Sequence, residues 1–501
     1  MSGAAPSTTP ENPIPEFKQA LGHPRPLWML FMTEFWERFA FYGMRWALTL
    51  YIVAQFFSND PSGQAYASRT YGAFLALVYA TAIFGGFVAD RVIGYQRSIL
   101  VGAVVSAAGY FVVMIPDQTM FLVGLATIIV GNGLFKPNIS AQVGQLYARG
   151  DERRDSGFTI FYMGINAGAF VAPILTGILA NRLMGDQGMP AYKMVFCAAG
   201  IGMLISTVWF WFGRSKLQGI GEPPKGAEGP QRVLAVLVGS MVAIPVVYFL
   251  LAIDAEILAW ILAGLFVVLC VMVMVEGLRE GKVSRDRAIA MLIIFTFNVL
   301  FWCFFEQAGS SFNFLAQNIV NRDVGGWEFP IGWFQSVNPI AILALAPIFA
   351  WAWIKLGKAN PSIPRKFGLG LIFNGLAFLL LMYSLSNLVD SQTGQIPLWP
   401  LVAVYVIQTA GELCLSPIGL SMVTKLAPLK VVGLAMGGWF LSTAIGNNLS
   451  GLFASHVSGS EGMSVASANA GYTFGFYALV GAGVVLFLIA PLIQKLMHGV
   501  K

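Results

Sequence analysis

The chain has 501 residues, of which 57% are hydrophobic and only 11% charged, and its mean hydropathy is +0.71. A soluble domain carries about a quarter charged residues, so this composition excludes one and indicates an all-α polytopic membrane protein. The net charge of +6 comes from bases spread over many short loops, which excludes a nucleic-acid surface.

Residues 1–26 are polar and Pro-rich without an apolar core, so they do not form a cleavable signal peptide and are expected to be a disordered cytoplasmic tail. A spanning helix takes about 20 apolar residues. Fourteen such segments follow, and the first six lie at 27–57, 71–92, 96–115, 119–147, 156–183 and 191–213. Gly213–Arg232 is too rich in Gly, Pro and charge to continue a helix and marks a cytoplasmic linker, 214–230. Spans 231–252 and 256–278 carry no internal charge and are joined by a short turn with Asp254 and Glu256. They read as a lipid-facing transmembrane hairpin, 231–278, inserted between two six-helix bundles, 27–213 and 288–497. The last six spans are 288–319, 330–356, 366–388, 398–426, 433–456 and 470–497.

With an even number of spans both termini share one side. Most of the 30 Lys and Arg residues fall on that side, from Lys18 and Arg25 to Lys495 and Lys501. Only Arg69, Arg182, Lys193 and Arg322 lie opposite, so the termini are expected to be cytoplasmic. Cys197, Cys270, Cys303 and Cys414 sit in apolar spans without metal-type spacing and read as free thiols.

Seven charges nevertheless lie inside spans: Glu34, Glu37, Arg38, Arg45, Lys136, Glu306 and Glu412. Each would cost about 2.5–3.5 kcal/mol at the centre of a lipid-exposed helix, so they must face an interior and pair. At about 100° per residue, Glu34, Arg38 and Arg45 lie within about 40° of one another, flanked by Glu37 and Tyr42. An i,i+4 pair between Glu34 and Arg38 would solve only its own burial and leave the other members of this stripe unexplained.

The segment Glu34-Phe35-Trp36-Glu37-Arg38-Phe39-Ala40-Phe41-Tyr42 resembles the E-x-x-E-R-F-x-Y-Y signature of the proton-dependent oligopeptide transporter (POT/PTR) family, departing at Phe41. Phe161-Tyr162-Met163-Gly164-Ile165-Asn166 is similar to its F-Y-x-x-I-N signature, and the Gly85–Gly94 loop to its first-loop pattern. The resemblance covers essentially the whole chain and implies the major facilitator fold, with a substrate site near the midplane between two halves.

The resemblance further implies roles. Glu34, Glu37, Arg38 and Lys136 would couple the proton, with Lys136 facing the first-span acids. Arg45 and Lys136 would hold a peptide carboxylate and Glu412 its amino terminus, beside which Asn166 and Asn338 supply the donors and acceptors that suit a peptide backbone. Arg45 and Glu306 would form an extracellular gate, with Phe305 where some relatives have a second acid. Read from their own chemistry, Tyr42, Tyr79, Trp302 and Trp439 would give a sequence-tolerant pocket wall, and Ser416 a polar lining where Pro417 frees a backbone carbonyl. His23, His456 and His498 lie in the tail or at span ends, so proton coupling falls to carboxylates.

Metal, nucleophile and phosphate-loop signatures are absent, so neither an enzyme nor an ATP-driven pump is expected. No cofactor is implied beyond the proton as coupling ion. The expected partners are short peptides, protons and lipids, with no nucleic acid and no obligate protein partner. The function so implied is a symporter importing di- and tripeptides across the bacterial inner membrane. Two alternatives remain open: the same fold carrying nitrate or another organic solute, and a peptide sensor that does not transport.

Overall fold

The computed structural model describes residues 15–148, 151–183, 189–224 and 226–500, without the side chains of Pro417 and Leu420. Expectations for the tail before residue 15, for Arg149, Lys225 and Lys501, and for the ring of Pro417 lie outside the described residues. From residue 15 the tail has a defined course. Gln19–Ala20 pairs with His23–Pro24, and His23 Nδ1 lies 2.8 Å from the Tyr147 hydroxyl.

The rest of the described residues are mainly helical, apart from loops and two isolated β-bridges, Val320–Ile396 and Asp323–Glu328. In the first part run Arg25–Arg45 (α1), Leu48–Phe56 (α2), Gly63–Val88 (α3), Tyr95–Val112 (α4), Gln118–Gln145 (α5), Arg153–Arg182 (α6) and Tyr192–Gly213 (α7). Then come Pro230–Ala252 (α8), Ala255–Glu280 (α9), Lys282–Phe305 (α10), Ser311–Asn318 (α11) and Val337–Leu356 (α12). Ile363–Asn387 (α13), Trp399–Leu426 (α14), Val432–Ser458 (α15) and Val465–Leu496 (α16) complete the chain. Among the described residues, 12 helices are long and apolar enough to cross a membrane, judged by length and composition. α1 and α4 are not among them. α1 carries Arg25, Glu34, Glu37, Arg38 and Arg45, and α4 is only 18 residues long and opens on Tyr95-Gln96-Arg97.

Two expected spans are broken. Segment 27–57 is interrupted at Trp46-Ala47, and segment 288–319 at Glu306–Ser310. Neither break contains proline, and the freed carbonyls of each find side-chain donors beside the other. Asn313 Nδ2 donates to the Trp46 carbonyl over 2.7 Å, and Thr49 Oγ1 to the Gly309 carbonyl over 2.7 Å. Irregular backbone at membrane depth survives only when protein satisfies it in this way. The expected start of span 330–356 is a 3-10 turn, Ile331–Ser336, leading into α12.

α1 packs on α6 and α7, α4 on α5 and α7, and α3 on α5. Further along the chain, α13 packs on α14 and α16, and α10 on α15. α3 also crosses α15, while α8 lies on α5 and α9 on α15 and α10. The linker is held rather than loose. Gln96 and Gln142 both donate to the Ile220 carbonyl over 2.8 Å.

The α3–α5 crossing depends on a glycine. A Cβ on Gly85 would fall 1.7 Å from the Gly133 carbonyl oxygen, against backbone that cannot rotate away. Gly85→Ala must therefore push the two helices apart, at about 1–3 kcal/mol for overpacking. Thermal unfolding in detergent should show a melting temperature several degrees lower. An unchanged melting temperature would contradict this crossing.

Candidate functional site

The α1 stripe is a buried ionic network. Arg38 Nε lies 3.1 Å from Glu34 Oε1, and the same guanidinium grips Glu37 bidentately, with Nη2 2.7 Å from Oε1. Asn132 of α5 donates to Glu37 Oε1 over 2.8 Å. Glu37 is 1% exposed, so removing either partner would strand a charge. Glu34 Oε2 is buried with no hydrogen-bond partner among the described residues. Phe41, the departure from the family signature, lies under Arg38, whose Cζ is 5.2 Å from the ring centroid.

Lys136 stands near enough to the α1 acids to interact electrostatically with Glu34 and Glu37, without pairing with either. Its ammonium sits 4.1 Å from the centroid of Tyr79, a cation–π contact, and forms no ion pair among the described residues. Arg38, not Lys136, holds the α1 acids.

Two turns further along α1 from Arg38, Arg45 Nη2 forms a salt bridge to Glu306 Oε2. Its Nε donates to the Tyr71 hydroxyl over 2.5 Å, and Tyr42 lies beside the guanidinium with its centroid 5.4 Å from Cζ. Glu306 ends α10 at the helix break, so the break aims the carboxylate at α1. Tyr71 reaches Arg45 because Gly309 leaves room for it. A Cβ there would lie 2.3 Å from the Tyr71 oxygen.

These groups border a cavity of about 100 Å³. Tyr42, Arg45, Tyr79, Trp302, Glu306, Asn338 and Glu412 all line it. Glu412 Oε2 accepts from Asn338 Nδ2 over 2.9 Å, and the same nitrogen reaches Thr409 Oγ1 at 2.9 Å. Glu412 has no ion-pair partner among the described residues. The volume holds several waters but falls short of the about 300–1,000 Å³ of a ligand pocket, so a peptide requires the walls to part.

Four expected members of the substrate site lie off the cavity wall, Lys136 behind Tyr79 and three others elsewhere. Asn166 Nδ2 donates to the Tyr162 carbonyl of its own helix over 2.9 Å, and its side chain is off the cavity wall. Trp439 is buried against Phe295 and Phe367, with ring centroids at 5.8 and 6.2 Å, as a packing residue. Ser416 Oγ is buried without a hydrogen-bond partner among the described residues, also away from the cavity wall. Conversely, Gln335, Tyr405 and Gln408 line the cavity and were not singled out in the sequence. Gln335 stands three residues before Asn338, and Asn132 four before Lys136. Their amide side chains inside apolar spans were the readable signal.

The POT family model matches residues 96–469. The chain belongs to the POT family. It is 37% identical to the uncharacterized transporter YclF of Bacillus subtilis over 96% of this chain and 97% of the relative. It is 34% identical to a di-/tripeptide transporter of Lactococcus lactis subsp. cremoris, over 97% and 98% respectively. A crystal structure of a peptide transporter POT mutant in complex with alafosfalin superposes with a TM-score of 0.81 at 36% identity, covering 96% of this chain and 97% of that one. The protein is thus a multi-pass membrane transporter with the POT fold, and not an enzyme.

The Arg45–Tyr71 contact in this POT-family site is open to a direct test. Tyr71→Phe removes the acceptor from a buried guanidinium, a loss of about 1.5–3 kcal/mol for a hydrogen bond to a charged group. Melting in detergent should fall in the wild-type background and stay level in an Arg45→Met background, as a coupled pair requires. Equal losses in both backgrounds would contradict the pairing.

Proposed function

We propose that the protein is a proton-coupled symporter that imports di- and tripeptides by alternating access. Fourteen spans form two six-helix halves, 27–213 and 288–497, with the hairpin 231–278 inserted, and both termini are cytoplasmic in a bacterial inner membrane. The observation that carries this reading is the pairing of opposite charges across one cavity. Arg45 comes from α1 and Glu412 from α14, with Asn338 already bonded to the acid. A zwitterionic peptide would place its ammonium at Glu412 and its carboxylate at the bases opposite, whatever its side chains. Arg45 is committed to Glu306 and Tyr71, so Lys136, which stands behind the cavity-lining ring of Tyr79, is the base free to take the carboxylate first once the walls part. An uncompensated Glu412 would repel a purely anionic solute such as nitrate.

The protonated group is assigned to the Glu34–Glu37 pair around Arg38, where one guanidinium serves two carboxylates. Transfer of one charge down the potential supplies about 2.3 kcal/mol per 100 mV, enough for accumulation of tens-fold. Support for an arrangement closed on the extracellular side comes from the contacts there. Arg45–Glu306, Thr49–Gly309 and Asn313–Trp46 join the halves at the two helix breaks. Ser336 adds a hydrogen bond to the Phe170 carbonyl over 2.8 Å.

Competition for uptake separates the amino-terminal assignment from its rivals. An N-acetylated dipeptide should compete at least about 30-fold more weakly than the free one, since losing one partner of a buried charge pair costs about 2 kcal/mol or more. Equal potency would overturn the assignment of Glu412. In proteoliposomes, Glu37→Gln should abolish gradient-driven accumulation yet keep peptide counterflow, because an amide holds shape but carries no proton. Intact accumulation would place the proton elsewhere.

A further inference from the structure

A groove outside the transport path joins residues 17–25, α1 and the C-terminal half of α7. Two adjoining cavities of about 510 and 520 Å³ form it, sharing Met29, Trp209 and Lys216. The floor is apolar, with Ile201 and Phe212 exposed on α7, Phe212 to 76%. Lys18, Arg25 and Lys216 stand exposed around one end. None of the three has an ion-pair partner among the described residues, and no carboxylate lines either cavity. Their placement is built rather than incidental. Arg25 N donates to the Lys18 carbonyl over 2.9 Å, and Trp28 Nε1 to the Ala20 carbonyl over 3.1 Å, which folds the tail back over α1.

We propose that this groove binds an anionic glycerophospholipid, its phosphate held by Lys18, Arg25 and Lys216 and an acyl chain laid along residues 201–212 of α7. The dimensions favour a lipid. Eleven helical rises make about 16 Å, close to the about 15 Å half-thickness of a bilayer's hydrocarbon core. The apolar floor lies on a helix whose outer face lipid must cover, and the bases sit at its headgroup end. Basic pockets between membrane helices on the cytoplasmic side select anionic headgroups by this charge complementarity. A second groove on the far side of Phe212 is the weaker candidate because its bases are engaged. Arg97 donates to the Glu228 carbonyl over 2.8 Å, and Arg214 stacks on Trp211 at 3.7 Å. The inference uses the membrane location of α7 and none of the peptide specificity, so it stands or falls apart from the transport assignments.

Native mass spectrometry of the full-length protein, titrated with phosphatidylglycerol or phosphatidylcholine of matched chains, reads the preference directly. Each basic group beside an anionic surface adds about 1 kcal/mol, about fivefold. Wild type should therefore retain phosphatidylglycerol at least about tenfold better than phosphatidylcholine. The K18Q/R25Q/K216Q variant should lose that preference, whereas K18R/K216R and the same-side control K355Q/K358Q should keep it. Glycerol 3-phosphate should not displace the lipid. Equal retention of both lipids by wild type, an undiminished preference in the triple glutamine variant, an equal loss in the control, or displacement by glycerol 3-phosphate would each overturn the proposal. The wild-type comparison and K18R/K216R keep it falsifiable if the triple variant does not fold.

Discussion

A charge placed in hydrocarbon must find an opposite charge or a polar wall, and the central part of this molecule is arranged around that requirement. Arg38 sits between Glu34 and Glu37, and Arg45 meets Glu306 from a different part of the chain. The first group is local to α1 and stays together whatever the rest of the molecule does. The second joins α1 to the end of α10, so relative movement of those helices must break it. Breaking a buried pair strands both ions, at about 3–5 kcal/mol unless new partners arrive. In the proposed cycle a peptide carboxylate is the new partner for Arg45, which ties ligand binding to gate opening.

The helix breaks serve the same end. Glu306 is presented to Arg45 because α10 stops at Phe305, and the backbone freed at Gly309 is bonded by Thr49 and Asn313. The α1–α2 break at Trp46 is bonded in turn by Asn313. Each break therefore holds the other, and the charged pair lies next to both. The same region supplies the cavity wall, where Phe305 and Ala308 lie beside Glu306. A small cavity lined by such a network is a closed arrangement that separation of these helices would enlarge.

Twelve of the hydrophobic spans were legible because length and apolar composition fix them without knowledge of packing. The hairpin segment 231–252 coincides with α8, which begins one residue earlier. The α1 network was legible for the same reason, since helical periodicity alone puts Glu34, Arg38 and Arg45 on one stripe. The breaks at Trp46 and Glu306 were not, because no proline marks them and the bonds that stabilise them come from residues distant in sequence. Tyr71 was hidden likewise, since one tyrosine among 15 gains meaning only from the space Gly309 leaves. The cation–π seat of Lys136 on Tyr79 and the packing of Trp439 in the core depend on helix rotation, which a chain rich in aromatic residues does not reveal.

The central claim is that the Arg45–Glu306 pair holds the extracellular ends of the two halves together. Spin labels at the exposed positions Asn59 and Gln317, next to α2 and in α11, report that separation by pulsed electron resonance. Wild type without a proton gradient should give one short distance, and Glu306→Gln should move a substantial part of the distribution to longer distances. A distribution unchanged by that substitution would contradict the account.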